Sequence, residues 1–152
     1  MLKYQHEESW PPLAWLASCN ENDRSITIRH GPDVATRQDW FCEAVWDDDY
    51  ANGNIDQTST VFGTGGRIRD GQIVFVSSAF PGDGLRHIKI NGTQYVSNSL
   101  VCLAAVLDLD VDPCRRVVLC PAKVPGVRLG SGGCEGLRHR RRRLTLDRTT
   151  NP

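Results

Sequence analysis

The sequence predicts an α+β domain built mainly on an antiparallel sheet of short, hairpin-linked strands. Short runs rich in β-branched and aromatic residues recur through the first two thirds of the chain. Two connections between such runs, Asp70-Gly71 and Asn91-Gly92, are dipeptides typical of two-residue hairpin turns. One apolar run with helix-start and helix-stop signals follows the second hairpin. Hairpin-linked strands followed by a single helix indicate this fold class.

Six short segments carry strand signals. Ile26 and Ile28 alternate with polar neighbours, which predicts a half-exposed strand that ends at Gly31-Pro32. The apolar segment from Asp39 to Trp46 predicts a mostly buried strand. The six segments begin at Ser25, Asp39, Thr58 or Arg67, Gln72, Leu85 and Gln94.

One helix is predicted over about residues 98–107. Every residue from Leu100 to Leu107 is apolar, and each of the three residues before this run can cap a helix N-terminus through its side-chain oxygen. These three candidates are Ser97, Asn98 and Ser99, and the predicted stop lies at Asp110, Asp112 and Pro113.

Three further segments are predicted to be irregular. Trp10-Pro11-Pro12 and the apolar residues Leu13 to Ala17 predict a turn or short helix that packs on the edge of the sheet. The segment from Asp47 to Gln57 has the composition of a polar loop. Gly63 to Gly66 is predicted to loosen the chain between a short strand that ends at Phe62 and the next strand signal.

The formal net charge of zero conceals two oppositely charged parts. Residues 1–112 carry sixteen acidic and eight basic side chains, whereas residues 113–152 carry ten basic and two acidic ones. The second part has no aromatic residue and no sustained apolar period, so it lacks the apolar surface that would offset chain entropy. We therefore predict an α+β domain over residues 1–112 and a disordered basic tail over residues 113–152, in which Arg115 to Leu119 could add one strand. The Arg-, Gly- and Pro-rich composition also fits translation in a shifted reading frame, and both interpretations of the tail stay open.

The apolar segments and the cysteines of the sequence bear on its localisation. No segment approaches the roughly 20 apolar residues that span a bilayer, and the first eight residues contain no apolar signal-peptide core. The sequence therefore predicts a cytoplasmic protein without membrane contact, whose six cysteines are free thiols. Cys42 and Cys102 lie in apolar runs and are predicted to be buried.

Two polar segments invite an assignment as ligand sites. Gly63-Thr64-Gly65-Gly66 resembles a phosphate-binding loop, but a hairpin follows it instead of a helix, which favours a connecting loop. An acidic stretch offers oxygen ligands for Ca²⁺ or Mg²⁺, but its spacing does not fit a calcium-binding loop, which favours a solvated acidic turn. The acidic stretch consists of Asp47, Asp48, Asp49, Asn52, Asn54 and Asp56.

Zinc-type ligands and a polybasic run occur in the predicted tail. Cys114, Cys120, Cys134 and His139 lack the close pairs that zinc sites use, so no metal or cofactor is predicted. A dense arginine run can bind nucleic-acid phosphates through counterion release, although no aromatic residue accompanies it to stack on bases. A small nucleic-acid-associated protein is therefore the alternative function, with contacts from Arg138, Arg140, Arg141, Arg142 and Arg143.

The order of elements from Leu85 to Pro113 resembles the closing part of the N-terminal amidotransferase-type domain of asparagine synthetases and their relatives. The shared features are a strand, the Asn91-Gly92 turn, a strand ending in Val96-Ser97, a capped helix rich in Leu and Ala, and the exit from Leu109 to Pro113. In addition, His30 and the following Gly31-Pro32-Asp33 resemble a His-Arg-Gly-Pro-Asp element of that family, with His and Arg exchanged.

The resemblance also implies a chemistry that this sequence lacks. In that family an N-terminal Cys, exposed by removal of Met, hydrolyses glutamine with its thiol as nucleophile and its own amine as base. Position 2 is Leu2 here, so the nucleophile is missing. The Ser-Gly-Gly-x-Asp-Ser type pyrophosphate loop of the synthetase half is missing too, and Ser131 to Glu135 resembles it only in part. We therefore expect a truncated, non-catalytic domain with no catalytic residue.

Overall fold

The computed structural model describes residues 1–22, 25–80, 83–111, 119–121 and 144–145. These residues are rich in strands, mostly antiparallel, and contain a single α-helix, which confirms the predicted α+β class. The strands are β1 (Leu2–His6), β2 (Trp15–Asn20), β3 (Ile26–His30), β4 (Ala35–Thr36), β5 (Trp40–Trp46), β6 (Val61–Arg69), β7 (Gln72–Val76), β8 (Arg86–Ile90), β9 (Thr93–Ser97), β10 (Leu109–Val111), β11 (Leu119–Pro121) and β12 (Leu144–Thr145). The helices are α1 (Leu100–Leu107) and a 3-10 turn (Tyr50–Asn52).

The strands form two five-stranded sheets and one short ladder. The first sheet has the order β1-β3-β2-β9-β8, and the second sheet has the order β12-β7-β6-β5-β4. Within these sheets β1 and β3 pair in parallel, and the other pairs are antiparallel. The separate ladder joins β10 to β11 and so crosses the predicted domain limit at residue 112.

The main core lies between the two sheets. Trp15 of the first sheet is fully buried, and its ring meets Phe41 edge-on at a centroid distance of 4.9 Å. The same ring stacks nearly parallel to Phe75 at 6.0 Å. Both phenylalanines belong to the second sheet, so aromatic packing holds the two sheets face to face.

A second, smaller core covers the opposite face of the second sheet. Successive side chains of a strand point to opposite faces, so Phe41 faces the first sheet while Trp40 and Cys42 face away from it. Trp40 and Cys42 are buried with Ile55, which lies in the acidic loop after β5. The predicted loop therefore folds back over β5 and buries that strand on both faces.

Both predicted hairpins and the predicted helix are present. Asp70-Gly71 joins β6 to β7 and Asn91-Gly92 joins β8 to β9, and all four residues have positive φ, as a type I′ turn requires. Helix α1 begins two residues later than the predicted start. Its N-cap is Ser99, whose Oγ accepts a hydrogen bond of 3.2 Å from the backbone N–H of Cys102.

Two predictions about local structure are wrong. Leu13 to Ala17 is not a turn or helix at the sheet edge, because β2 starts at Trp15 and lies in the middle of the first sheet. Both faces of β2 are buried, so its sequence lacks the apolar–polar alternation of a half-exposed strand. Gly63 to Gly66 does not loosen the chain but lies inside the nine-residue strand β6. Strand β1 was not predicted from the sequence at all.

The predicted basic tail falls almost wholly outside the described residues. Within residues 113–152 the structure describes only β11 and β12, and β12 pairs with β7. The strand suggested over Arg115 to Leu119 overlaps the described part only at Leu119, where β11 begins.

Candidate functional site

The glycine-rich candidate is a packing device and not a phosphate loop. Gly65 and Gly66 are buried inside β6 and lie against Phe41 of the neighbouring strand. A Cβ atom on Gly65 would lie 2.4 Å from the carbonyl oxygen of Phe41. The glycines therefore let β6 pack closely against β5 as part of the sheet.

The acidic candidate uses its side chains within the protein. Asp49 caps the 3-10 turn by accepting from the N–H of Ala51 at 3.0 Å. Asp56 forms a two-point ion pair with Arg69, with distances of 2.6 Å from Nε to Oδ2 and 2.9 Å from Nη2 to Oδ1. In the described part of the chain, no group of three or more His, Cys, Asp or Glu residues could hold a metal ion. The prediction of a solvated acidic turn fits Asp47 to Asp49, whereas the Asp56 side chain is fully buried.

The zinc-type candidates and the arginine run cannot be placed. Cys114, Cys134 and His139 lie outside the described residues, and Cys120 is described only as part of β11. The same applies to the candidate nucleic-acid contacts, which are Arg138, Arg140, Arg141, Arg142 and Arg143.

The described thiols are sequestered. Cys19, Cys42 and Cys102 are free and buried, which confirms the two burials predicted from the sequence. Burial raises the pKa of the Cys19 thiol to about 12. Burial is also the main cause that raises the pKa of Cys42, while a contact of 3.6 Å with the Tyr50 hydroxyl acts in the opposite direction. A thiolate nucleophile is therefore disfavoured at both positions.

An open cleft of about 720 Å³ lies where the two sheets meet the start of α1. We call it the Glu43 cleft, after the carboxylate on its floor. Strands β5 and β6 supply the floor, the segment before β2 supplies one wall, and the β8–β9 hairpin with its preceding loop supplies another. Its polar and apolar lining includes Leu13, Asp33, Glu43, Thr64, Arg86 and Asn98.

Three donors fix the Glu43 carboxylate. Its Oε1 accepts hydrogen bonds from the backbone N–H of Thr64 at 2.8 Å, from Thr64 Oγ1 at 2.5 Å and from Asn98 Nδ2 at 3.3 Å. No described group bonds to Oε2, and the Glu43 residue is partly exposed and lines the cleft. One carboxylate oxygen is therefore held by the fold, while the other has no described hydrogen-bond partner.

Two side chains link this carboxylate to the first sheet. The buried indole N–H of Trp15 donates to Thr64 Oγ1 at 2.9 Å. Asn98 accepts from the backbone N–H of Trp15 at 2.9 Å through Oδ1, and it donates to the carbonyl of Leu13 at 2.9 Å through Nδ2. The cleft floor is therefore a hydrogen-bonded network that joins both sheets and the residue before α1.

The charges around the cleft are mostly negative. Asp33, Glu43 and Asp83 contribute three carboxylates, and Arg86 contributes the one cationic side chain of the described lining. Arg86 also donates to the carbonyl of Gly84 at 3.0 Å. The described lining contains no Cys or His, and its two hydroxyl side chains, Thr64 and Ser99, make hydrogen bonds within the protein.

Sequence reasoning did not identify this site. Glu43 is the one charged residue between Trp40 and Trp46, and a lone carboxylate inside an apolar strand is a signal that was available. Thr64 lies in the tetrapeptide that was considered as a phosphate loop, and Asn98 was considered only as a helix cap. The pairing of Glu43 with Thr64 across β5 and β6 is a property of the sheet register, which the sequence does not display.

Comparisons with known proteins add no relative. Neither a protein-family model, nor a curated protein, nor a solved structure matches the chain. In the part of the chain that the structure describes, no helix has the length and apolar character needed to cross a membrane.

Proposed function

We propose that this chain is a non-catalytic domain related to the N-terminal amidotransferase-type domain of asparagine synthetase-like proteins. One observation carries the proposal. Leu2, which stands where that family has its catalytic Cys, opens β1 and is 5 % exposed, packed into the main core. A buried leucine offers neither a thiol nor a path for substrate to reach one.

The arrangement after residue 85 supports the relationship. Strand β8, the Asn91-Gly92 turn, strand β9, the Ser99-capped helix α1 and β10 follow one another in the order that the family resemblance requires. The buried, protonated state favoured for Cys19 and Cys42 supports the absence of catalysis by another thiol. A cytoplasmic location is part of the same proposal, because free thiols are typical of a reducing compartment.

A glutamine hydrolysis assay tests the lack of catalysis. The purified protein is incubated with glutamine, and released glutamate and ammonia are measured against a buffer blank. We expect no release above the blank, and we expect the Leu2→Cys variant to stay inactive because position 2 is packed in the core. Release by the unmodified protein that Cys19→Ala or Cys42→Ala abolishes would overturn the proposal.

The relationship and the domain limit have separate tests. The gene is resequenced across codons 105 to 125, and all three downstream frames are translated. A second frame that continues with an apolar, periodic sequence and a pyrophosphate loop would support a synthetase-like parent protein. Limited proteolysis should leave a stable fragment that ends near residue 112, and the absence of such a fragment would contradict the proposed domain limit.

The polybasic run keeps a second candidate function open. Five arginines within residues 138–143 can bind nucleic-acid phosphates regardless of base sequence. This function predicts that retention on DNA falls steeply as salt rises and is lost when Arg138, Arg140, Arg141, Arg142 and Arg143 are replaced by Ala. Retention that does not respond to salt would exclude it.

A further inference from the structure

An apolar patch borders the Glu43 cleft on the second sheet. Val45 and Phe62 lie opposite each other on β5 and β6 and are 64 % and 54 % exposed. They follow the pair Glu43 and Thr64 by two residues along each strand, so they point to the same face of the sheet. The floor of the cleft therefore continues into an apolar surface that the first sheet does not cover.

Other exposed apolar side chains lie around the same end of the molecule. Leu13 is 52 % exposed and lines the cleft beside Pro11 and Pro12. Phe80 is 60 % exposed and follows Ala79, whose N–H donates to the carbonyl of Val61 at 2.7 Å, next to Phe62 on β6. Large apolar side chains scattered singly are ordinary, whereas their concentration around one cleft is typical of an interaction surface. We name Leu13, Val45, Phe62 and Phe80 the apolar rim.

The charge of the cleft defines the chemistry of its partner. Three carboxylates outnumber the single guanidinium in the described lining, and residues 1–112 as a whole carry eight more acidic than basic side chains. Glu43 is the best placed of the three, because the fold fixes Oε1 and no described group bonds to Oε2. A fixed carboxylate loses little conformational freedom when it binds a cation, which favours a guanidinium or ammonium group at this position.

We propose that the Glu43 cleft and the apolar rim form a docking surface for a basic, apolar-flanked peptide segment of a partner protein. An arginine or lysine side chain of the segment enters the cleft and pairs with Glu43 Oε2. Apolar residues on either side of it cover Phe62 and Val45, which continue the floor, and Leu13 on one wall. The surface thus joins a charge-specific centre to apolar contacts that supply most of the buried area. This inference is independent of the proposed lack of catalysis.

Fluorescence anisotropy with a labelled peptide tests the docking surface. The probe is Ala-Leu-Arg-Leu-Ala, and its controls replace Arg by Glu or both Leu residues by Ser. The unmodified protein should bind the probe at least tenfold more tightly than either control peptide. Glu43→Gln retains the acceptor for Thr64 and Asn98 but removes the charge, and we expect it to weaken binding about tenfold.

Matched variants separate the cleft from the rest of the surface. Glu8→Gln removes an exposed carboxylate outside the cleft, and Val101→Ser removes an exposed apolar side chain of α1 that does not line it. Neither should change affinity for the probe by more than twofold, whereas Phe62→Ser should weaken it severalfold. Circular dichroism of each variant identifies any loss of fold. The affinity of Glu43→Gln is compared only if its spectrum is native, and Phe62→Ser tests the surface independently.

Three outcomes would overturn the docking proposal. The first is equal affinity for the probe and the Glu-containing peptide. The second is binding of free arginine amide as tightly as the probe, which would make the cleft a small-cation site. The third is a dimer in solution that Phe62→Ser dissociates, which would assign the apolar rim to a second copy of the chain.

Discussion

Trp15 of the first sheet donates its indole N–H to Thr64 of the second sheet, across a core in which both residues are at most 1 % exposed. The Thr64 hydroxyl in turn donates a hydrogen bond to Glu43 Oε1. One buried hydroxyl therefore satisfies the polar atom of the largest core side chain and also fixes the carboxylate of the candidate binding cleft. Stability and site geometry depend on the same threonine.

Replacing Thr64 by valine is expected to destabilise the protein by about 1–3 kcal/mol. Valine has nearly the same shape, so the main loss is the partner of a buried indole N–H and the donor to Glu43. Urea unfolding followed by circular dichroism measures the change in the free energy of unfolding.

Thr27→Val is the matched control for that change. Thr27 lies on the outer, partly exposed face of β3, and no described residue bonds to its hydroxyl. We expect a change within about 0.5 kcal/mol. Equal destabilisation by the two variants would show that the bond from Trp15 to Thr64 does not contribute as argued.

Phe41→Ala should cost about 3–5 kcal/mol, because it opens a cavity between Trp15 and Phe75 at the centre of the main core. The comparison is Phe62→Ala on the neighbouring strand. Phe62 is 54 % exposed, so this substitution should cost about 0.5 kcal/mol or less. Thermal unfolding of both variants under one condition gives the ranking. A ranking in the opposite order would mean that the two sheets do not pack through Phe41.

Two glycine-to-alanine substitutions should destabilise the protein for different physical reasons. Gly92→Ala adds a methyl group whose nearest neighbour is the flexible Asn22 side chain at 3.9 Å, but it forces a residue with a Cβ to keep φ near +74°. The expected destabilisation is about 1 kcal/mol. Gly65→Ala has an ordinary φ but places its Cβ 2.4 Å from the carbonyl oxygen of Phe41, so β5 and β6 must separate.

Gly65→Ala should therefore be the more damaging of the two, because overpacking costs about 1–3 kcal/mol of stability. Chemical denaturation measures both variants against the unmodified protein. A harmless Gly65→Ala would contradict the close approach of β6 to β5, and it would reopen the question of why three glycines stand in one strand.

The sequence allowed prediction of the elements that local chemistry determines. Asp70-Gly71 and Asn91-Gly92 specify their turns because positive φ is needed at both central residues, and Ser99 caps its helix through a contact three residues away. Strand β5 was predicted from its apolar composition. These features involve neighbours in sequence, so no knowledge of the fold was needed to find them.

Elements that depend on distant partners were missed. Strand β1 has a mostly exposed polar sequence and exists because it pairs in parallel with β3, more than twenty residues away. Strand β2 was mistaken for a turn because burial on both faces removes its alternation. The Glu43 cleft was missed because it depends on distant partners: Glu43, Thr64 and Asn98 converge only after both sheets are assembled.

The ion pair between Arg69 and Asp56 should hold the acidic loop onto β6. The Asp56 side chain is fully buried and meets Arg69 at two points, and this pairing is the main cause that raises the pKa of the guanidinium. Asp56→Asn is expected to cost about 1–3 kcal/mol, because it removes charge-assisted bonds from a buried position.

Asp39→Asn provides the matched control for that ion pair. Its carboxylate is half exposed and meets Arg67 through one contact of 3.2 Å, so its loss should cost about 0.5 kcal/mol or less. Urea unfolding measures both. If Asp39→Asn costs as much as Asp56→Asn, burial of the Asp56 carboxylate does not set the strength of the contact.

Stability should fall as pH rises above about 9, and Cys19 should account for part of that fall. Burial raises the pKa of the Cys19 thiol from 9.0 to about 12, so between these values the unfolded chain loses a proton that the folded protein keeps. The stabilisation is thus fully present below pH 9 and is lost progressively as pH approaches 12, with a slope of up to about 1.4 kcal/mol per pH unit. Burial also raises the pKa of Tyr50 to about 12, which acts in the same direction.

Cys19→Ala isolates the contribution of the thiol, since alanine cannot ionise. Unfolding free energies at pH 8.5, 9.5 and 10.5 should decline less steeply for this variant than for the unmodified protein, whatever constant difference the lost sulfur produces. Ser18→Ala, at the adjacent and partly exposed position on β2, should leave the slope unchanged. Parallel pH profiles for Cys19→Ala and the unmodified protein would mean that the thiol ionises as easily in the folded state as in the unfolded chain, and that β2 is not enclosed on its Cys19 face.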